Sequence, residues 1–200
     1  MRKLSILVLC IVSLLVLSAC SPRDFLTRRL AADLIASSNA FRAAQPFQLR
    51  LGVVSNQDFL SPDYVVLQHH GWISGTKAAC PPALAPPPCW DVAFTPSGVD
   101  TFQSLIANGD TEKQPFSFPA ARRELVSVTG IVKRGIVADV EFTWRWIPLN
   151  EVGAALYSSD LHYRSTAVFR SYDDGWRLVQ GVSRPGEPLD DALKNAEPVQ

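Results

Sequence analysis

Hydrophobic positions along this chain switch between a helical and a strand period, and each switch marks an element. From Arg23 to Arg42, Phe25, Leu26, Leu30, Leu34 and Ile35 recur about one helical turn apart, with Arg28, Arg29 and Asp33 mostly elsewhere on the wheel. This predicts an amphipathic helix with its apolar face in a core. Asp24 stands where a cap would, and Ser37-Ser38-Asn39 weakens the last turn. After Pro46, Phe47, Leu49, Leu51 and Val53 alternate with Gln48, Arg50 and Gly52, the period of one half-buried strand. Ser61-Pro62-Asp63 opens a short helix over Tyr64 to His70, closed by Gly71. Trp72-Ile73 begins a strand that runs into a proline-rich loop, and Trp90 to Phe94 is the returning strand. Thr95-Pro96-Ser97-Gly98 turns into a helix from Val99 to Ala107, with Ser97 as a capping residue.

The second half is more regular. Glu124 to Val132 and Ile136 to Ile147 flank Lys133-Arg134-Gly135, read as a three-residue hairpin loop with glycine in its left-handed place. That register sets Val126 opposite Phe142, Val128 opposite Val140, Gly130 opposite Ala138 and Val132 opposite Ile136. One face of the second strand is then Ile136, Ala138, Val140, Phe142, Trp144 and Trp146; the other is Val137, Asp139, Glu141, Thr143 and Arg145. The apolar face needs a cover, expected from the N-terminal helix or the helix at Val99, and Gly130 leaves a shallow spot for close approach. Pro148 to Asp160 is a short helix or a crossover. Leu161 to Ser171 and Trp176 to Val182 form a second hairpin around Asp173-Asp174-Gly175, with Tyr172 facing Trp176 and Phe169 facing Val179.

The expected class is α+β: an N-terminal helix, a small mixed helix and hairpin region, then a four-stranded antiparallel sheet. The boundaries are a signal segment at 1–19, the mixed region at 20–107, a polar linker at 108–121, the sheet at 122–184 and a frayed tail at 185–200 with a helical turn near Leu189 to Lys194. The leading helix and a sheet ending in Tyr-Asp-Asp-Gly-Trp-Arg-Leu resemble the cystatin-like and NTF2-like folds. The earlier helix, strand, long loop, strand and Thr-Pro-x-Gly order is similar to the hairpin region of winged-helix domains. Neither resemblance assigns an activity.

The N-terminus supplies an address. Arg2 and Lys3 precede an uncharged stretch from Leu4 to Leu17, then small residues and a cysteine, the pattern of a cleaved signal peptide. Leu17-Ser18-Ala19-Cys20 resembles the lipobox of bacterial lipoproteins. The resemblance implies acylation of Cys20 after cleavage, and a membrane tether of more than one chain is stable. Ser21, in place of the aspartate that retains enterobacterial lipoproteins in the inner membrane, points to the outer membrane. The apolar run is too short for an ordinary spanning helix.

Loss of the first 19 residues leaves 181, with 17 basic residues against 19 acidic. That balance gives no electrostatic reason to expect nucleic acid or a purely charge-driven membrane contact. Cys10 leaves with the signal, so Cys80 and Cys89 remain as a pair, and on the exported side they read as a disulfide. Five of the eight residues between them are proline.

Catalytic patterns are missing. There is no G-x-S-x-G, H-E-x-x-H or phosphate-binding loop. His69 and His70 diverge on a helix and do not suit one metal ion. Asp139 and Glu141 share a strand face with Arg145, and His162, Arg164 and Arg170 on the next strand offer partners, which reads as surface ion pairing. Asp173-Asp174-Gly175 lacks the further ligands of a calcium loop. No catalytic residue, metal or cofactor is expected. The function expected is that of a lipid-anchored envelope protein with a non-catalytic domain that binds a protein partner. The alternative is a small-molecule or lipid carrier using the aromatic face of Phe142, Trp144 and Trp146.

Overall fold

Gly52 makes the first departure from this pattern. Its φ of +76° is a left-handed conformation that glycine adopts at little cost. There the single expected strand divides into β1 (Gln45–Leu49) and β2 (Gly52–Ser55), which join different sheets. The computed structural model describes residues 25–84, 86–106, 115–179 and 189–199. The signal segment 1–19, Cys20, residues 108–114 of the expected linker and residues 185–188 of the expected tail lie outside the described residues.

The fold is α+β with antiparallel sheets and short helices. The larger sheet has six strands where four are expected from the pattern. Its order is β1, β5 (Phe116–Arg134), β6 (Val137–Pro148), β7 (His162–Tyr172) and β8 (Gly175–Leu178), with β9 (Glu197–Val199) also paired to β7. A three-stranded sheet has the order β2, β4 (Cys89–Phe94), β3 (Ile73–Ala78). The chain divides into two compact units. One holds the described residues up to Ser38 with Leu125–Thr143 and Arg164–Glu197; the other holds Asn39–Glu124, Trp144–Tyr163 and the residues from Pro198.

In the first unit, α1 (Arg28–Ala36) is shorter than its periodicity suggests. Thr27 caps it, its Oγ1 accepting from Leu30 N at 3.1 Å; the expected cap, Asp24, lies outside the described residues. The helix stops because Ser38, buried, turns its hydroxyl back to donate to Ile35 O at 2.6 Å. Such local serine bonds compete with helix continuation. Ala31 and Ile35 are fully buried, and α1 packs against β8.

The alternation in β6 holds: Ala138, Val140 and Phe142 are buried, while Val137, Asp139, Glu141 and Thr143 are only partly covered. The hairpin registers differ from expectation. The β5–β6 turn is two residues, Gly135-Ile136, so Ile136 is 57% exposed in the turn rather than paired with Val132. Val126 is 44% exposed although Phe142 is fully buried. Ser127 and Thr143 share a hydroxyl hydrogen bond of 3.0 Å, and Thr129 donates to Glu141 at 2.8 Å. A Cβ on Gly130 would meet only that of Glu141, at 3.7 Å, so no helix uses the expected shallow spot.

The β7–β8 turn is likewise two residues, and Tyr172 pairs with Gly175, Ser171 with Trp176 and Phe169 with Leu178. The expected Tyr172–Trp176 and Phe169–Val179 pairs are one residue out. A one-residue slip reverses faces, and so Trp176 is buried while Tyr172 is exposed. The helical turn expected near Leu189 to Lys194 is α7 (Leu189–Lys194), and it is docked rather than frayed, burying Leu189, Ala192 and Leu193. Ser165 Oγ fastens it by donating to Ala192 O at 2.9 Å.

The second unit contains α2 (Asn39–Arg42), α3 (Asn56–Phe59), α4 (Pro62–His69), α5 (Pro96–Gln103) and α6 (Glu151–Leu156). Its core gathers Phe47, Leu49, Val54, Leu67, Trp72, Val92, Phe102, Phe118 and Val152. Helix α5 begins three residues before the expected Val99 because Thr95, not Ser97, is the cap: its Oγ1 accepts from Gly98 N at 3.0 Å. Helix α6 repeats the arrangement, Asn150 Oδ1 accepting from Gly153 N at 2.8 Å. In both helices the glycine rests directly on a carbonyl. An added Cβ would lie 1.8 Å from Trp72 O at Gly98 and 1.9 Å from Ala120 O at Gly153.

Candidate functional site

Three places bear on function: the aromatic face, the loop between β3 and β4, and a polar cavity. Strand β6 brings Trp144 and Trp146 to the same side two residues apart, as a strand must. Trp144 is only 2% exposed. Tyr163 stacks on it with ring centroids 4.7 Å apart, and Phe41 of α2 meets it edge-on at 6.5 Å. The Arg123 guanidinium lies 5.5 Å from the Trp144 ring and 4.6 Å from that of Trp146, a cation–π geometry. Arg123 Nη1 also donates to Ala40 O at 3.0 Å. Tyr157 packs on Trp146 with centroids 5.0 Å apart. Side chains of the second unit thus cover Trp144 and partly cover Trp146. Phe142, in the first unit, is fully buried. The cover comes from α2 and neighbouring strands rather than from α5. Sequence reading missed Arg123, Phe41, Tyr157 and Tyr163 because no periodicity links an arginine on β5 to rings on other elements.

The loop between β3 and β4 is closed at its base. Ile73 pairs with Phe94 and Ala78 with Cys89, so the hairpin delivers Cys80 and Cys89 to each other. They form a disulfide with Cα atoms 5.2 Å apart, a normal separation for a bridge. Cys89 is buried, whereas Pro81, Pro82, Ala83 and Pro86 to Pro88 are exposed. The loop carries one turn of 3₁₀ helix, Pro82–Leu84.

A cavity of about 200 Å³ is lined by Gln48, Arg50, Asp58, Ser61, Tyr64 and Pro115. The Tyr64 hydroxyl donates to Arg50 O at 2.8 Å and accepts from Arg50 N at 3.1 Å, holding the chain between β1 and β2. Burial pushes the Tyr64 phenol above its ordinary pKa. Asp58 accepts from Ser55 Oγ at 2.9 Å, and its own N–H donates to that oxygen at 3.1 Å, so it closes the first turn of α3. These residues are scattered over separate elements and carry no motif. Only the fold brings them together.

The titratable residues singled out above are distributed as ion pairs and packing contacts. Asp139 pairs with Arg134 at 3.1 Å, and Glu141 lies 3.9 Å from Arg164. Arg145 pairs with Glu124 at 2.6 Å instead of with its own strand face. All these side chains are substantially exposed, where an ion pair is worth about 0–1 kcal/mol. The His70 ring stacks on Trp72 with centroids 4.5 Å apart. Arg177, bonded to Asp174 in the second turn, holds that carboxyl below its usual range. Among the described residues no cluster of His, Cys, Asp and Glu could hold a metal ion, and no helix is long and apolar enough to cross a membrane.

Comparison with protein-family models, with curated proteins and with solved structures gives no match.

Proposed function

We propose that this chain is an envelope lipoprotein, held through acylated Cys20 on the exported side of a bacterial membrane, whose folded part binds an envelope protein partner without catalysis. The periplasmic face of the outer membrane is the favoured location on the strength of Ser21. The supporting observation is the β3–β4 loop: exposed, rich in proline and stapled by Cys80–Cys89 at its base. A loop ordered before binding loses little conformational freedom on docking, which favours its use as a contact surface. The burial of Phe142 and Trp144 weighs against the carrier alternative, which needs that face open to a ligand.

The test is photo-crosslinking in intact envelopes from a reactive side chain placed at Ala83. One protein captured in stoichiometric amount, and lost when Cys80 and Cys89 are both replaced by serine, supports the reading. Failure to capture any protein under several growth conditions refutes it. The anchor has its own check: Cys20→Ala should send the protein into the soluble fraction or leave it uncleaved, and unchanged membrane association after cleavage refutes the tether.

A further inference from the structure

At one end of the larger sheet, the first unit displays apolar side chains that its own core does not use. Ile136 in the β5–β6 turn and Val132 near the end of β5 are 57% and 56% exposed. The turn joins the end of β7, where Ser171 N donates to Ile136 O at 2.8 Å, and Tyr172 beside it is 46% exposed. Isolated exposed aliphatics are ordinary, but a group on two adjacent turns is a surface that asks for a partner. The charged side chains around it are four cations, Lys133, Arg134, Arg170 and Arg177, and three acids, Asp139, Asp173 and Asp174. Lys133 Nζ lies 5.8 Å from the Phe25 ring centroid and 4.9 Å from that of Trp176. Arg170 lies 5.8 Å and Arg177 4.9 Å from the Tyr172 ring. The acids Asp139 and Asp174 are engaged by Arg134 and Arg177, with Asp173 next to the latter pair.

Phe25 sets what this surface can meet. It is 61% exposed, and it stands five residues after Cys20. Five residues span at most about 18 Å. Lys133 Nζ, next to the β5–β6 turn, lies 5.8 Å from the centre of the Phe25 ring, so the chain length ties the lipid-bearing residue to within reach of that turn. We infer that this turn, with Phe25 and Tyr172 beside it, docks on the bilayer that holds the lipid anchor: Val132 and Ile136 enter the interface, Tyr172 sits at headgroup depth, and Lys133 and Arg170 face anionic headgroups. The inference rests on the proposed acylation of Cys20. Apolar side chains combined with basic residues suit an interface containing anionic lipid. The tether keeps the turn at high local concentration near the surface, so even a weak patch remains docked. A tyrosine flanked by cations is at home where hydrocarbon gives way to headgroups.

The test uses the full lipidated protein in phosphatidylglycerol-containing vesicles, with an environment-sensitive fluorophore on Ile136→Cys. Thr166→Cys on β7, six residues and roughly 20 Å along the strand from Tyr172, serves as the reference position. The expected result is a blue shift and a several-fold loss of acrylamide quenching at position 136 but not at 166. Brominated lipid should quench the label at 136, and the shielding should be lost in a Val132→Asp background. A label at 136 that stays water-exposed, while mass spectrometry shows acylated Cys20 and the protein floats with the vesicles, overturns the docking and leaves the anchor standing. Unacylated protein that fails to float overturns both. Shielding of equal size in the protein lacking its acyl chains, in buffer with neither vesicles nor detergent, also overturns it, since a second copy would then be the cover.

Discussion

Replacing Gly98 by alanine sets helix propensity against tertiary contact. Propensity favours the change, because alanine inside a helix is better than glycine by about 1 kcal/mol. Gly98 has no positive φ to protect. Its surroundings decide otherwise. The new Cβ would stand 1.8 Å from Trp72 O and 2.8 Å from the Trp72 carbonyl carbon, both backbone atoms, where ordinary contact begins at 3.4 Å. The helix start must therefore retreat by more than an ångström. Trp72 O already accepts from Thr95 N at 3.0 Å, and Thr95 Oγ1 accepts from Gly98 N at 3.0 Å, so the retreat strains both bonds. It also loosens the edge-on packing of Trp72 on Phe102, at 6.2 Å. Overpacking of this kind costs about 1–3 kcal/mol, and a weakened hydrogen bond adds about 1 kcal/mol. Less the propensity gain, Gly98→Ala should destabilise the protein by about 1–3 kcal/mol, a large share of the 5–15 kcal/mol typical of a domain. Urea unfolding followed by far-UV circular dichroism measures it. A variant as stable as the parent, or more so, would show that the contact between α5 and Trp72 is not as described. Gly153→Ala, against Ala120 O, should behave alike.

Trp144→Ala removes a fully packed ring and should cost about 3–5 kcal/mol in the same urea assay; a loss under 1 kcal/mol would mean the aromatic face is open. Cys80→Ser should lower stability by about 2–3 kcal/mol at most, by the chain-entropy argument for so short a loop, read as a shift in the unfolding midpoint. Tyr64 and Tyr157 are both held neutral by burial, with pKa values above the ordinary 10.0. The folded state then keeps protons that the unfolded state has released, so stability is intact below about pH 10 and falls as pH rises further. Tyr64→Phe should flatten that alkaline slope, and ultraviolet absorbance titration of the phenols checks it; a Tyr64 phenol titrating at or below 10.0 would contradict the burial.

The pattern of side chains was enough to place the N-terminal helix, the β3–β4 hairpin with its disulfide, and the strict two-faced strand β6. In each, local period or a pair of cysteines at short range carries the information. Ala138, Val140, Phe142 and Trp144 are buried because alternation on a pleated strand leaves them no other face. Turn length was decided elsewhere. Both hairpins use two-residue turns, and one residue fewer moves Trp176 into the core and leaves Tyr172 outside. Leu49 and Val53, read as parts of one strand, belong to two sheets because Gly52 lets the chain turn between them. The six-stranded order, the buried C-terminal helix and the cover over Trp144 depend on pairings between residues far apart in the chain. Long-range contacts leave no periodic trace in sequence. What covers a hydrophobic face, and which apolar residues remain for a partner, is settled only when all the elements compete for the same core.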